Sequence, residues 1–426
     1  MVRRRSLYLF PVAILLIGIA AHPQSLAQSG ARSEAPVSQQ ESAAPQTSAT
    51  QQTSGAPRFT SGGYTAELPS QFVGNLIFLP VRVNGGQPSL FDLNSTAAAT
   101  SMDPERAVEL GLTGGSSGGS TGDIVRDPVL KLPGLEISFP LLPLFARKDF
   151  PARVGQRYQG TIGGDFLNQV VLEADYTRQT VIVYDPGVYK YSGKGTAVPV
   201  TFVDGKPIIR AKFSGPKGTE EADFVIDTDL DDGVVFSEPF ADAHRLVTSH
   251  SKTDPAFRPD WTDSPRNAYG RLKAFGIGPY MAEDVLAVFS QKRAIVAGNS
   301  KVAGIIGGGL LKRFDVIFDF AHQQIIFEPH FHFRDYDESD MSGLCLAALG
   351  PNFKRFEVLD IVPGSPGADA GIQKGDIVAG IDDEPAADIS LASIHDLFRQ
   401  IGHKYKLLVE RNGQTRTVEL KMRRLV

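Results

Sequence analysis

The sequence predicts a mainly β protein, made of two similar halves and a smaller α+β module at the C-terminal end. Short apolar runs with strand-like alternation recur between about residues 64 and 335. One ungapped pattern appears twice: eight positions from Gly160 to Ile182 match those from Gly304 to Ile326 at a constant offset of 144 residues. Beyond about residue 340 the pattern changes to strands around one helix, with a hairpin turn at Asn412-Gly413.

The N-terminal residues predict export. Three arginines (Arg3, Arg4 and Arg5) precede an apolar run from Leu7 to Ala21, and Ser25-Leu26-Ala27 fits a small-x-small cleavage site. The run is short for a membrane span, which needs about 20 residues. We therefore expect a signal peptide at 1–27, no membrane span after its cleavage, and a secreted or periplasmic location. An uncleaved anchor is the alternative.

The next segment predicts a disordered linker, placed at 28–60. Residues 28–57 are mostly Ser, Ala, Gln, Thr and Pro, with almost no large apolar side chains. Such a composition cannot bury a core. We expect ordered structure to begin near Tyr64.

Charge and cysteine content exclude several classes of partner. The formal net charge of −5 argues against nucleic acid, which requires clustered Lys and Arg. Cys345 is the only cysteine, so a disulfide framework and a Cys-based metal site are both excluded. The Gly/Ser loop Gly114–Gly122 lacks the Gly-Lys-Ser/Thr ending of a phosphate loop. We expect no cofactor and no metal.

The first half, placed at 61–190, begins with a predicted strand, Ile77–Val83, and a turn at Asn84-Gly85-Gly86. Asp103 as N-cap, Pro104 at the first helical position and Gly111 as a stop signal then predict a short helix. The alternation in Thr180–Tyr184 predicts a late strand.

The second half, placed at 191–337, repeats this order. Pro207–Phe213 predicts a strand, Phe224–Ile226 predicts a strand leading into a polar turn at Asp227, and Pro239–Leu246 predicts a short helix. The glycine pattern that begins at Gly304 completes the repeat.

Each half contains a strand that ends in a polar turn and is followed much later by a glycine signature. The turns read Leu93-Asn94-Ser95-Thr96-Ala97 and Ile226-Asp227-Thr228-Asp229, and the later segments read Thr161-Ile162-Gly163 and Ile305-Ile306-Gly307. This pattern resembles the pepsin–retropepsin superfamily, specifically bacterial single-chain relatives of retropepsin, over roughly residues 64–335. The resemblance implies two closed β-barrel lobes, polypeptide as substrate, and a strand ending in Asp-Thr/Ser-Gly-Ala in each lobe.

Both motifs depart from the family pattern. Hydrolysis by this mechanism uses two carboxylates about 3 Å apart that share one proton. Asn94 stands at the first of these positions and cannot exchange a proton near neutral pH. Thr96 and Asp229 replace the motif glycines, and Asp229 adds a negative charge beside Asp227. We therefore expect an impaired protease that binds extended polypeptide, with Asp227, Asn94, Ser95, Thr228 and Asp229 as the site.

Three alternatives stay open for this acidic region. A register slip could bring Asp92 to the centre of the site, because it lies two residues before Asn94 on the same strand face. A dimer could pair Asp227 with its copy. Either would give a weakly or fully active endopeptidase. The spacing of acidic residues from Asp227 to Glu238 also resembles a calcium loop, although Asp232 occupies the position that requires glycine.

The C-terminal module, placed at 338–426, resembles a PDZ domain of the type carried by bacterial envelope proteases. The resemblance rests on Gly343-Leu344-Cys345-Leu346, on Pro363-Gly364-Ser365-Pro366 with Ala370-Gly371-Ile372, and on Lys374-Gly375-Asp376-Ile377-Val378. It implies that the Gly343–Leu346 loop holds the terminal carboxylate of a peptide, which adds a strand to a sheet edge. The alternative is a module that only docks on the second lobe.

Overall fold

A computed structural model of the chain describes residues 55–112, 124–247, 268–290, 301–336 and 338–426. The predicted signal peptide, most of the predicted linker and the Gly114–Gly122 loop lie outside these residues. In the described part of the chain, no helix is both long enough and apolar enough to span a bilayer.

The first half contains short strands and three short helices. They are β1 (Arg58–Phe59), β2 (Thr65–Leu68), β3 (Gln71–Val73), β4 (Leu76–Val83), β5 (Ser89–Leu93), β6 (Ser101–Met102), α1 (Pro104–Glu109), β7 (Ile124–Arg126), β8 (Val129–Leu132), β9 (Leu135–Ser138), β10 (Leu141–Pro143), α2 (Phe150–Val154), β11 (Gly160–Ile162), α3 (Gly164–Leu167), β12 (Val171–Asp175) and β13 (Thr180–Tyr184).

The second half has longer strands. They are β14 (Thr196–Pro199), β15 (Thr201–Val203), β16 (Lys206–Gly215), β17 (Gly218–Asp227), β18 (Val234–Ser237), α4 (Glu238–Ala243), β19 (Ala268–Ile277), β20 (Tyr280–Ser290), β21 (Val302–Gly307), α5 (Gly308–Leu311), β22 (Phe314–Asp319) and β23 (Gln324–Pro329), with 3₁₀ turns at Phe320–His322 and Phe331–Arg334.

The C-terminal domain is a sheet with two helices. Its elements are β24 (Leu344–Leu349), β25 (Arg355–Ile361), α6 (Pro366–Asp369), β26 (Ile377–Ile381), β27 (Glu384–Pro385), α7 (Leu391–Phe398), β28 (Lys404–Arg411) and β29 (Gln414–Lys421), with a 3₁₀ turn at Ala386–Asp388.

A six-stranded sheet joins the two halves, in the order β14-β23-β22-β12-β13-β2. Its central pair, β12 and β22, is antiparallel, and Glu173 lies opposite Ile317. These two residues occupy the same place in the sequence repeat, 144 positions apart. The pairing therefore relates the two halves by an approximate two-fold axis, which also brings the polar turns of the two lobes towards each other.

Lobe 1 is the sheet that runs through β1, β9, β8, β4, β5, β11 and β6, with β3 on the side of β4. In the described residues this sheet does not close into the predicted barrel. Strands β10 and β7 form a separate pair, and a single bridge from Leu144 to Met102 links that segment to β6.

The predicted linker, 28–60, is too long at its C-terminal end. Arg58 and Phe59 form β1, which pairs with Glu136 and Leu135 of β9. Order begins before Tyr64 because Phe59 packs against the main hydrophobic core, while Arg58 forms an ion pair with Glu136.

Lobe 2 is a closed barrel of six strands, in the order β16-β17-β21-β18-β20-β19, with β19 returning to pair with β16 and β15 attached at one side. Closure removes the exposed sheet edge. A cluster of fully buried phenylalanine rings fills the interior: Phe213, Phe224, Phe236 and Phe275.

The C-terminal domain buries a separate hydrophobic core. Its sheet has the order β24-β25-β26-β28-β29, with β27 beside β26, so β24 is an edge strand. The helix that the sequence predicts near 391–401 is α7, which begins after its N-cap Ser390 and lies beside β24. The hairpin turn at Asn412-Gly413 joins β28 to β29, as predicted.

Candidate functional site

The two polar turns are locked together by reciprocal hydrogen bonds between Ser95 and Thr228. The Thr228 hydroxyl donates to the Leu93 carbonyl (2.7 Å) and accepts from the Ser95 amide (3.0 Å). The Ser95 hydroxyl donates to the Ile226 carbonyl (2.8 Å) and accepts from the Thr228 amide (3.2 Å). Both side chains are buried. The lock fixes the position of Asn94 relative to Asp227.

Replacing Thr228 by valine keeps the shape of the side chain and removes the hydroxyl. We expect a loss of about 2 kcal/mol in the free energy of unfolding at pH 7, because the buried Leu93 carbonyl and Ser95 amide both lose a partner. Urea unfolding followed by circular dichroism measures it. Thr219→Val, on the exposed part of β17, is the matched control and should change stability by less than about 0.5 kcal/mol.

Each turn folds back on its first side chain in the same way. In lobe 1 the amide of Thr96 donates to Asn94 Oδ1 (2.9 Å). In lobe 2 the amide of Asp229 donates to Asp227 Oδ1 (3.0 Å). The residues that replace the motif glycines thus keep the turn geometry, and the four residues Asn94, Thr96, Asp227 and Asp229 remain half-buried and partly open to solvent.

The side-chain amide of Asn94 is hydrogen-bonded at both its oxygen and its nitrogen. Its Oδ1 also accepts from the Thr96 hydroxyl (2.8 Å) and the Ala97 amide (2.9 Å), and its Nδ2 donates to Asp229 Oδ2 (3.1 Å). A side chain with both ends occupied in this way stabilises the two turns. An amide acts neither as a base nor as an acid near neutral pH.

An arginine that the sequence reasoning did not select bridges two further carboxylates in this site. Arg147 donates from Nη1 to Asp92 Oδ2 (3.0 Å) and from Nη2 to Asp229 Oδ2 (2.7 Å). Its guanidinium lies 3.7 Å from the centre of the Phe150 ring. Arg147 follows no motif and precedes a five-residue helix, so no sequence signal indicated that it reaches Asp229, which is 82 residues away along the chain.

Asp92 belongs to the site without any register slip. Strand β5 pairs with β11 in parallel, with Thr161 opposite Asp92, and the Thr161 hydroxyl donates to Asp92 Oδ1 (2.7 Å). The alternative of a slipped strand was wrong, because Leu93 lies opposite Ile162 just as Ile226 lies opposite Ile306 in lobe 2, so Asn94 keeps the position that matches Asp227. The side chain of Asp92 is only 1% exposed.

The positions of lobe 2 that match Asp92 and Thr161 contain apolar residues. At the places of Asp92 and Thr161 it has Val225 and Ile305, which are opposite each other in the β17–β21 register and pack in one apolar cluster. The same position in the fold is therefore stable when it is apolar. A buried carboxylate costs free energy unless it is paired, so the acid in lobe 1 indicates a role other than packing.

Burial and mutual repulsion perturb the acids of the site. Burial raises the pKa of Asp227 to about 7, with a further rise from the charge of Asp229 and an opposing effect from the Asp229 amide and Arg147. Burial also raises the pKa of Asp92 well above its usual value, and the charge of Asp229 adds to this more than Arg147 offsets. Asp229 Oδ1 is buried and has no hydrogen-bond partner among the described residues.

The calcium interpretation of the acidic turn does not agree with the structure. The carboxylate of Asp231 accepts from the Asn75 amide (3.1 Å) and from Asn75 Nδ2 (2.7 Å), while Asp227 and Asp229 point into the interlobe site. Within the described ranges, no group of three or more His, Cys, Asp or Glu side chains could hold a metal.

The predicted peptide-binding residues lie at the start of the edge strand β24. Gly343 has φ +69°, and an added Cβ would lie 2.2 Å from Ser365 Cβ, so only glycine fits there. Leu344 and Leu346 are buried, and Cys345 is half-buried. The Leu344 amide donates to the hydroxyl of Ser342 (3.1 Å), so a carboxylate bound at this amide would compete with that hydroxyl.

Comparison with known proteins identifies the C-terminal domain. Residues 357–411 match the PDZ domain family, which confirms the predicted PDZ domain. The chain is similar to the crystal structure of the aspartic proteinase from Irpex lacteus, at 11% identity and a TM-score of 0.42, over 64% of this chain and 99% of that one. It is also similar to the photosystem II D1 C-terminal processing protease, at 23% identity and a TM-score of 0.19, over 20% of this chain and 23% of that one.

No curated protein sequence matches the chain. The predicted fold class is confirmed as mainly β, with a closed β-barrel and a C-terminal PDZ domain.

Proposed function

We propose that the chain is an exported polypeptide-binding protein of the aspartic-protease type whose interlobe site is catalytically impaired. The observation that carries the proposal is that the lobe 1 turn, locked to the Asp227 turn of lobe 2 by Ser95 and Thr228, contains Asn94 at the position that matches Asp227. A general base that lacks its acid partner loses roughly 10²–10⁴-fold in rate. Arg147 forms ion pairs with Asp92 and Asp229, and these pairs oppose the use of either acid as the missing partner.

The half-buried face of the site suits an extended polypeptide. Asn94, Thr96, Asp227 and Asp229 present amide, hydroxyl and carboxyl groups, which can exchange hydrogen bonds with a peptide backbone. The PDZ domain supplies a second way to bind polypeptide, in which a peptide adds a strand beside β24. Export follows from the predicted signal peptide at 1–27. Two peptide-binding elements in one exported chain favour a role as a scaffold or regulator in a bacterial envelope.

A cleavage assay tests the proposal. The purified full chain and Asp227→Ala are incubated with fluorescein-labelled casein from pH 3 to 8, and fragments are followed by gel and fluorescence. We expect no turnover from either protein, together with binding of the labelled casein by the wild-type chain, measured as fluorescence anisotropy. Turnover that disappears in Asp227→Ala would contradict the proposed impairment.

A weakly active endopeptidase is the second candidate function. It is favoured by the raised pKa of Asp227, about 7, beside the carboxylate of Asp229, because a carboxyl group that stays protonated near neutral pH can act as a general acid. In this case Asp229, in place of the missing first acid, would be the partner of Asp227. The same assay then separates the candidates, since Asp229→Asn would also lose turnover.

A further inference from the structure

Lobe 1 of the same chain covers the edge strand of the PDZ sheet. Strand β24 ends the sheet on one side, and such edges are the places where peptides add a strand. Helix α2 of lobe 1 packs along β24. Ala347 and Ala348, which point to opposite faces of the strand, are both fully buried.

The end of α2 fills the space between β24 and α7. Gly155, which ends α2 with φ +71°, is so close that an added Cβ would lie 2.8 Å from Leu391 Cβ and 3.4 Å from Ala348 Cβ. Leu391 is the first residue of α7 and is 2% exposed. An extended peptide therefore cannot enter between β24 and α7 while α2 stays in place.

Helix α2 is anchored outside the main core of the lobes. Phe150 packs with Leu76, Phe78 and Tyr158 in a small cluster of its own. Asp149, the N-cap residue, makes no side-chain capping bond. A five-residue helix with one buried aromatic anchor and no N-terminal cap can move without opening the cores of the lobes.

The same segment reaches the interlobe site. The Phe150 amide donates to the Arg147 carbonyl (3.1 Å), and the Phe150 ring stacks under the Arg147 guanidinium. Arg147 in turn holds Asp92 and Asp229. Residues 147–158, the α2 segment, thus contact the PDZ edge through Gly155 and the carboxylates through Arg147.

We propose that the α2 segment is a built-in competitor for the PDZ edge, and that an extended peptide that takes its place beside β24 withdraws Arg147 from Asp92 and Asp229. Arg147 is then a positioning residue that reports PDZ occupancy to the interlobe site. The inference rests on the proposed function, because the site that it controls is the one proposed to bind polypeptide. Linkage requires the coupling to act in both directions.

Phenylglyoxal labelling of Arg147 in the full chain, read by mass spectrometry, tests the first direction. Gly155→Ala pushes a Cβ against Leu391 and should raise the labelling rate of Arg147 about tenfold. Gly111→Ala is the matched control: Gly111 follows α1 with φ +67°, and a Cβ there meets no atom of the described residues within 4 Å. It carries the same backbone strain and should leave the labelling of Arg147 unchanged, and the exposed Arg157 should react equally in all three proteins.

Hydrogen–deuterium exchange tests the second direction and does not depend on the folding of Gly155→Ala. Arg147→Met frees the α2 segment at the interlobe site, so the amides of 344–349 should exchange about tenfold faster than in the wild type and in Arg157→Met. Unchanged exchange at 344–349, or equal labelling of Arg147 in the wild type and Gly155→Ala, would overturn the coupling. Neither readout involves polypeptide binding or cleavage, so failure of the proposed function is detected separately.

Discussion

Arg147→Met is expected to destabilise the protein by about 3 kcal/mol at pH 8, and by clearly less at pH 5. Arg147 is the cation shared by Asp92 and Asp229, whose side chains are 1% and 11% exposed. Removing one partner of a buried ion pair leaves uncompensated charge, which typically costs 3–5 kcal/mol. Methionine keeps apolar contact with the Phe150 ring, so the loss reports on charge more than on packing.

The loss of stability in Arg147→Met should increase as pH rises. The pKa of Asp92 is already raised by burial and by the charge of Asp229, and it rises further without Arg147. A carboxyl whose pKa is higher in the folded state keeps its proton at low pH and destabilises the fold as pH rises through that pKa. The loss must therefore grow from pH 5 to pH 8.

Urea unfolding at the two pH values measures the effect. Arg157→Met removes the same charge from an exposed arginine ten residues further along and should cost less than about 0.5 kcal/mol. Equal losses for the two variants would mean that Arg147 contributes no ion pairing of consequence in solution.

Asp227→Asn is expected to stabilise the protein, and more so as pH rises. The pKa of Asp227 is raised from 3.8 to about 7, so the folded state binds the proton more tightly than the unfolded chain. The resulting stabilisation of the wild type is complete below about pH 3.8 and is lost as pH rises through about 7. Asparagine does not ionise, so its advantage over aspartate should grow by roughly 2–3 kcal/mol between pH 5 and pH 8.

The substitution is conservative because an asparagine, Asn94, already occupies the matching position in lobe 1. Asn94 accepts the amide of Thr96 through Oδ1, as Asp227 accepts the amide of Asp229. Asp223→Asn, on the same strand but in an exposed ion pair with Arg210, is the matched control and should shift stability by less than about 0.5 kcal/mol at both pH values. A stability difference between Asp227→Asn and the wild type that is the same at pH 5 and pH 8 would show that Asp227 ionises as freely as in an unfolded chain.

Much of the architecture could be predicted because it depends on local patterns. The alternation in Thr180–Tyr184 matches strand β13, Asp103 caps α1 through a hydrogen bond to the Arg106 amide, and Asn412-Gly413 forms the last hairpin. The PDZ signature, too, is a run of neighbouring residues whose turn and strand preferences act within a few positions.

The residues of the candidate site also differ in whether a local sequence pattern could predict them. Asn94, Asp227 and the residues that follow them stand in short motifs, so the sequence by itself determined that the site lacks a symmetric carboxylate pair. Arg147 could not be found in this way, because its ion pairs join residues 55 and 82 positions apart and depend on how α2 docks. Nor does any local pattern place Gly155 against Leu391.

Sequence therefore determined which chemical groups the two turns carry, because those groups lie next to each other along the chain. Only the tertiary structure decided how their charges are balanced and what covers the PDZ edge. Charge balance in a buried site depends on distances of a few ångströms between residues far apart in sequence, and those distances are fixed by packing of the lobes and the PDZ domain.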